Sequence, residues 1–259
     1  DPKYGRFVAL MLARIADVYP AMSTGAYDPK YWNNGWYGGK ILGGIWETGL
    51  ASEFCKQYDS AFDRYDDPEV ISFLSAKASQ YNMSNTKTTG DAIRQNVENN
   101  LLREIIAALK DKRIYGNFGY HQATAAYVGA VLDTEPYTSD ILNWDMNGEG
   151  AVNSTVIQTV GRDGTGNESS PGYNSGWAAS MANIADALNG YTGYAGADLY
   201  QNPKIIKMLK MNLPLILMRK TVPQIGDTLG VDYYGLSINK DLVAPGFMST
   251  NDTELGQLL

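Results

Sequence analysis

Residues 90–110 read GDAIRQNVENNLLREIIAALK, and within them Ile93, Val97, Leu101, Ile105 and Leu109 recur at steps of four. Steps of four, with polar residues between, set the apolar side chains on one face of an α-helix. A long amphipathic helix from Gly90 to Lys110 is therefore expected, and it sets the style of the whole chain. Upstream, Phe7, Leu10, Met11, Arg14, Ile15 and Val18 form an apolar stripe that stops at Tyr19-Pro20. A helix from Gly39 to Phe62 carries Ile41, Ile45, Leu50 and Phe54, and another runs from Pro68 to Tyr81 behind Asp66-Asp67 as cap and acidic first turn. Downstream, helices are expected over His121–Leu132, Ala151–Val160, Asn174–Leu188 and Pro203–Leu217.

Between these lie loops rich in Gly, Asn, Ser and Thr, namely Asn82–Gly90, Gly161–Gly172 and Gly190–Gly196. Strand-like alternation is confined to Val222–Ile238. Stacked helical hairpins are the simplest architecture, and periodicity alone leaves open a bundle, a solenoid or a closed toroid. The chain opens in mid-pattern and closes without a finishing element, as a fragment of a longer protein would.

Composition narrows the function. Hydrophobic residues at 44% and charged residues at 19% make an ordinary globular chain. No apolar run is long enough to span a membrane, and Asp1-Pro2-Lys3 does not open a signal peptide. The single Cys55 excludes an internal disulfide, and the single His121 excludes a multi-histidine zinc site. No cofactor-binding motif is evident. A net charge of −7 argues against nucleic acid as partner. The 18 Tyr and 5 Trp suit sugars, whose flat C–H faces stack on aromatic rings, although most of these residues serve core packing.

Four stretches are rich in groups that carry chemistry. The first is Trp32-Asn33-Asn34-Gly35-Trp36-Tyr37-Gly38-Gly39-Lys40, leading to Ile45-Trp46-Glu47. The second, Tyr115-Gly116-Asn117-Phe118-Gly119-Tyr120-His121-Gln122, stands directly before a helix. So does the third, Asp163-Gly164-Thr165-Gly166-Asn167-Glu168-Ser169-Ser170-Pro171-Gly172-Tyr173-Asn174. The fourth is Val222-Pro223-Gln224-Ile225-Gly226-Asp227. Loops ending at helix N-termini present free backbone N–H groups and suit a substrate carboxylate. Glycine-rich loops are also, commonly, only turns.

Taken in order, Asp17-Val18-Tyr19-Pro20, Ile45-Trp46-Glu47 with Ala61-Phe62-Asp63, Gly116-Asn117, Asp163-Gly164 with Glu168 to Tyr173, and Pro223 to Asp227 resemble the heparinase II/III superfamily of polysaccharide lyases. The resemblance runs through nearly the whole chain and rests on the order of five weak motifs. It implies a mainly α fold: an incomplete (α/α) toroid of helical hairpins over residues 1–220. A loop- and strand-rich segment over 221–259 would lead toward a C-terminal β-sandwich region of the same protein, missing from this chain. It further implies cleavage of uronic-acid polymers by β-elimination, with an anionic polysaccharide or oligosaccharide as partner and, from that substrate, a secreted or periplasmic setting.

β-Elimination needs three things: a neutralised carboxylate beside the C5 proton, a base for that proton, and an acid for the departing oxygen. Tyr173 stands where the family places its catalytic tyrosine. Asn117, His121 or both would neutralise the carboxylate, with Asn117 as the clamp and His121 as a second donor or proton partner. Phe118 follows Asn117, so the Asn-His form of the motif is not intact, and no histidine follows His121, although the family usually adds one from its β region. Glu47, Gln122 and Glu168 are candidate polar contacts. Trp32, Trp36, Tyr37 and Trp46 are candidates for stacking, and Arg162 and Lys40 for local positive charge. Alternatives are a glycoside hydrolase, with carboxylates drawn from Asp163, Glu168 and Glu47, a uronate C5-epimerase, and a non-catalytic carbohydrate-binding protein.

Overall fold

The computed structural model describes residues 2–24, 38–217, 223–228 and 240–259. The chain is mainly helical, and no β-strand occurs among the described residues. It divides into two compact units, Asp1–Thr138 and Ser139–Leu259. No helix among the described residues is long and apolar enough to cross a membrane.

In the first unit, α1 (Pro2–Val18) packs on α4 (Gly90–Val97), and α2 (Glu47–Ser60) on α6 (Tyr120–Leu132). Helices α3 (Pro68–Gln80) and α5 (Arg103–Lys110) complete its set of α-helices among the described residues. The stretch expected as one long helix is continuous from Gly90 to Lys110, but a π-helical turn, Glu98–Leu102, joins α4 to α5. Ile93, Val97, Leu101 and Ile105 are all fully buried, as their spacing requires. The Tyr58 hydroxyl donates to the Glu98 carboxylate at 2.6 Å, a tie between α2 and the π turn. At the start of α3, Asp67 is the N-cap and accepts from the Glu69 N–H at 3.0 Å.

Three sequence expectations need correction. The buried face of α1 is Ala9, Leu12, Ala13 and Ala16, whereas Phe7 and Met11 of the expected stripe are exposed. Small side chains let neighbouring helices approach closely, and that close approach outweighs the larger apolar area of the other face. The helix expected from Gly39 starts at Glu47, after a 3₁₀ turn Gly44–Trp46. Gly43 and Gly44 hold φ of 70° and 58°, values closed to a right-handed helix.

The third correction concerns the second unit, which holds α7 (Tyr137–Met146, beginning just inside the first unit), α8 (Val152–Thr159), α9 (Pro171–Ala187) and α10 (Pro203–Lys210). Where a loop- and strand-rich segment was expected, residues 240–258 form α11 (Lys240–Thr250) and α12 (Thr253–Leu258). Asp252 caps α12, accepting from the N–H groups of Glu254 and Leu255, both at 3.0 Å. Lys210 donates to Asp252 at 2.8 Å and to Glu254 at 2.6 Å, which fastens α12 to α10. Most of the alternating segment Val222–Ile238 lies outside the described residues.

Candidate functional site

The candidate residues fall into two groups, one in each unit. In the first unit, α2 and α6 run in the same direction. Thr124 Oγ1 donates to the Thr48 carbonyl and lies 3.0 Å from Ser52 Oγ, while Lys56 Nζ sits over the Tyr127 ring at 4.9 Å. Two helix N-termini therefore stand side by side; the buried Glu47 carboxylate in the first turn of α2 offsets the positive end of that helix, and the positive end of α6 remains. Gly116 lets the chain in: a Cβ at that position would lie 3.0 Å from Thr48 Cγ2.

His121, in the first turn of α6, is half-buried. Its Nδ1 is 3.2 Å from the Gly116 carbonyl, which only accepts, so Nδ1 carries the proton and Nε2 holds the lone pair of the neutral ring. Tyr115 stacks on the imidazole at 6.2 Å and Phe118 meets it edge-on at 6.4 Å. Burial pushes the imidazole below its usual value, against the raising effect of hydrogen bonds to the Gly116 and Asn117 backbone. The result is a histidine kept neutral in neutral solution. Asn117 is exposed in the preceding turn, its carbonyl accepting from the Tyr120 N–H at 3.0 Å. Trp46, at the start of α2, is 72% exposed and offers a wide apolar face.

Two polar candidates in this unit are committed to the fold. The Glu47 carboxylate is 1% exposed and accepts from the N–H groups of Ile41, Leu42 and Gly43. It closes the loop before α2. Gln122 is likewise buried, its Oε1 accepting from the Gly119 N–H at 2.6 Å. Lys40 is also buried, bonded to Glu104 at 2.8 Å and to the Pro20 carbonyl. Burial raises the Glu104 carboxyl, but hydrogen bonds from Arg113 and Lys40 outweigh it and hold the group below the usual carboxylate range. Trp32, Trp36 and Tyr37 lie outside the described residues.

In the second unit the third and fourth stretches meet. Ser170 caps α9, accepting from the Tyr173 N–H at 3.3 Å. Asn174 ties the preceding loop down: its Nδ2 donates to the Glu168 carbonyl at 2.8 Å and its Oδ1 accepts from the Gly166 N–H at 2.9 Å. Thr228 accepts from the Gly172 N–H, and its hydroxyl donates to the Ile225 carbonyl at 2.8 Å, laying residues 223–228 along the start of α9. Asp227 thereby reaches Tyr173. The Tyr173 ring is 52% exposed. The Asp227 charge, ahead of desolvation and the Glu168 charge, pushes the phenol above its usual value. Asp227 is far from Tyr173 along the sequence, and only folding brings it near the tyrosine.

Glu168 and Arg162 are exposed beside this turn. The Arg162 carbonyl accepts from Lys207 Nζ at 2.9 Å. Asp163 is occupied within its own loop, accepting from the Thr165 hydroxyl at 2.7 Å and the Thr165 N–H at 3.0 Å. Those hydrogen bonds hold its carboxyl below the usual range. No protein-family model, curated protein or solved structure matches the chain.

Proposed function

We propose that the chain belongs to a polysaccharide lyase that cleaves a uronate polymer by β-elimination, on a helical scaffold of the (α/α) toroid kind. The observation that carries this reading is Tyr173: an exposed phenol in the first turn of α9, beside Asp227, whose charge keeps it protonated. A tyrosine in acidic surroundings is a proton donor, not a base. It therefore takes the role of general acid toward the departing glycosidic oxygen.

In the first unit His121 is the candidate base, its neutral ring holding the lone pair on Nε2. Asn117, exposed in the turn before it, hydrogen-bonds the uronate carboxylate, and the N-terminus of α6 adds favourable potential for that charge. Trp46 offers a stacking face for a sugar ring. In the reaction a base takes the C5 proton, and the released electron pair forms the C4–C5 double bond. The C4–O bond breaks as the oxygen receives the Tyr173 proton. No water is consumed, and solvent restores both protonation states afterwards.

Hydrolysis is less well supported, because two of the three carboxylates available to it, Glu47 and Asp163, are held by hydrogen bonds of their own loops. Mass spectrometry of the products separates the two chemistries. β-Elimination gives an unsaturated fragment lighter by one water than its hydrolytic counterpart, and products that all carry the added water would contradict it. Tyr173→Phe is expected to lower the rate about 10²- to 10⁴-fold, the usual contribution of a positioned acid, with the circular dichroism spectrum unchanged.

A further inference from the structure

A cavity of about 520 Å³ lies within the first unit, between α1, α3 and the loop that follows α3. That volume is in the range of small-molecule sites. None of the residues assigned above to the reaction lines it. Its walls include Arg14 and Asp17 from α1, Phe73 and Lys77 from α3, and Tyr81 and Lys87 from the loop.

The charges do not cancel. Lys87 is buried and bonded to Asp17 at 2.6 Å, so that pair is internally neutral. Asn96 Nδ2 donates to the same carboxylate oxygen of Asp17 at 3.0 Å. Arg14 stands 3.9 Å from the other oxygen, with its side chain 66% exposed. Lys77 donates to Gln80 Oε1, a neutral partner, at 2.9 Å. Arg14 and Lys77 thus leave two positive charges in excess at one cavity of a chain whose net charge is −7.

Aromatic surface accompanies those charges. Lys77 Nζ lies 5.8 Å from the Phe73 ring centre and 5.9 Å from that of Tyr81. The two residues are 50% and 66% exposed. Lys77 lies over one face of each ring, and their exposed remainder is aromatic surface beside a cation; that combination suits an acidic sugar, whose carboxylate meets the cations while the C–H face of its ring meets the aromatic side chain.

We propose that this cavity is a secondary, non-catalytic binding site for an acidic saccharide, with uronate carboxylates on Arg14 and Lys77 and a sugar ring against Tyr81 or Phe73. It rests on the uronate-polymer reading for the choice of saccharide, and its chemistry is independent of Tyr173, Asn117 and His121. It would give an acidic protein a local foothold for a polyanion.

The test is calorimetric titration of the full chain carrying Asn117→Ala/Tyr173→Phe, which lacks the reaction site's carboxylate contact and acid, with tetraglucuronate, and with cellotetraose as its neutral counterpart. Tetraglucuronate should bind, and more tightly than cellotetraose. Arg14→Ala/Lys77→Ala should weaken it roughly tenfold or more, Tyr81→Ala should also weaken it, and Arg14→Lys/Lys77→Arg should restore most of the affinity. Equal binding of the neutral sugar, unchanged binding in the Arg14→Ala/Lys77→Ala chain, or no binding at all would overturn the proposal. Loss of elimination activity as an explanation for the chain, with binding still dependent on Arg14 and Lys77, would overturn the lyase reading and leave this site standing.

Discussion

His121 and Tyr173 are displaced in opposite directions by their surroundings. Burial lowers the imidazole from its ordinary 6.5, so it is neutral at pH 7. The Asp227 charge raises the phenol from its ordinary 10.0, so it keeps its proton. Used as base and acid, the two groups give a wide working range. Activity falls at low pH as His121 takes up a proton and ceases to be a base, with that limb below 6.5. At high pH it falls as Tyr173 loses its proton, with that limb above 10. A pH profile of kcat/KM should therefore be flat near neutrality. Asp227→Asn, which removes the charge that raises the phenol, should bring the alkaline limb down. An acid limb above pH 7, or an alkaline limb unmoved by Asp227→Asn, would contradict this assignment of roles. The candidate residues themselves were legible because their types stand out in Gly-rich stretches. The Tyr173–Asp227 pairing was not, since it joins positions whose proximity no local pattern records.

At the scale of the element, the start of α2 depends on one side chain. Glu47 closes the preceding loop by accepting from three backbone N–H groups in a buried setting. Unsatisfied buried donors cost about 1–3 kcal/mol each, and partial relaxation of the loop recovers some of that. Glu47→Ala should cost about 2–4 kcal/mol in urea unfolding, and Glu47→Gln, which keeps an acceptor, distinctly less. A neutral effect of Glu47→Ala would show that the loop does not need this anchor. Legibility follows the same logic. The helix from Gly90 to Lys110 was plain, because five apolar positions repeat without interruption. The true start of α2 was hidden by an apolar pattern that continues through a loop, where glycine geometry and a buried carboxylate decide. The face of α1 was misjudged because alanines carry little hydrophobic signal, yet they are what allows close packing. Helices α11 and α12 were overlooked because both are short, and Pro245 lies inside the first of them.

At the scale of the whole molecule, the chain forms two compact units, and each holds its own group of candidate residues: Asn117 and His121 in the first, Tyr173 and Asp227 in the second. The mainly helical class was legible from periodicity, whereas a toroidal closure depends on relations between helices that no single helix encodes. The net charge of −7 is also a property of the whole chain, and it does not decide the sign of a local site. The most direct test of the central claim is ultraviolet absorbance over time with a panel of uronate polymers: alginate, glucuronan and glycosaminoglycans. The account predicts a steady rise with at least one polymer, from the new C4–C5 double bond, that Tyr173→Phe and His121→Ala each suppress. Polymer shortening with no rise in absorbance, or a rise indifferent to both substitutions, would contradict it.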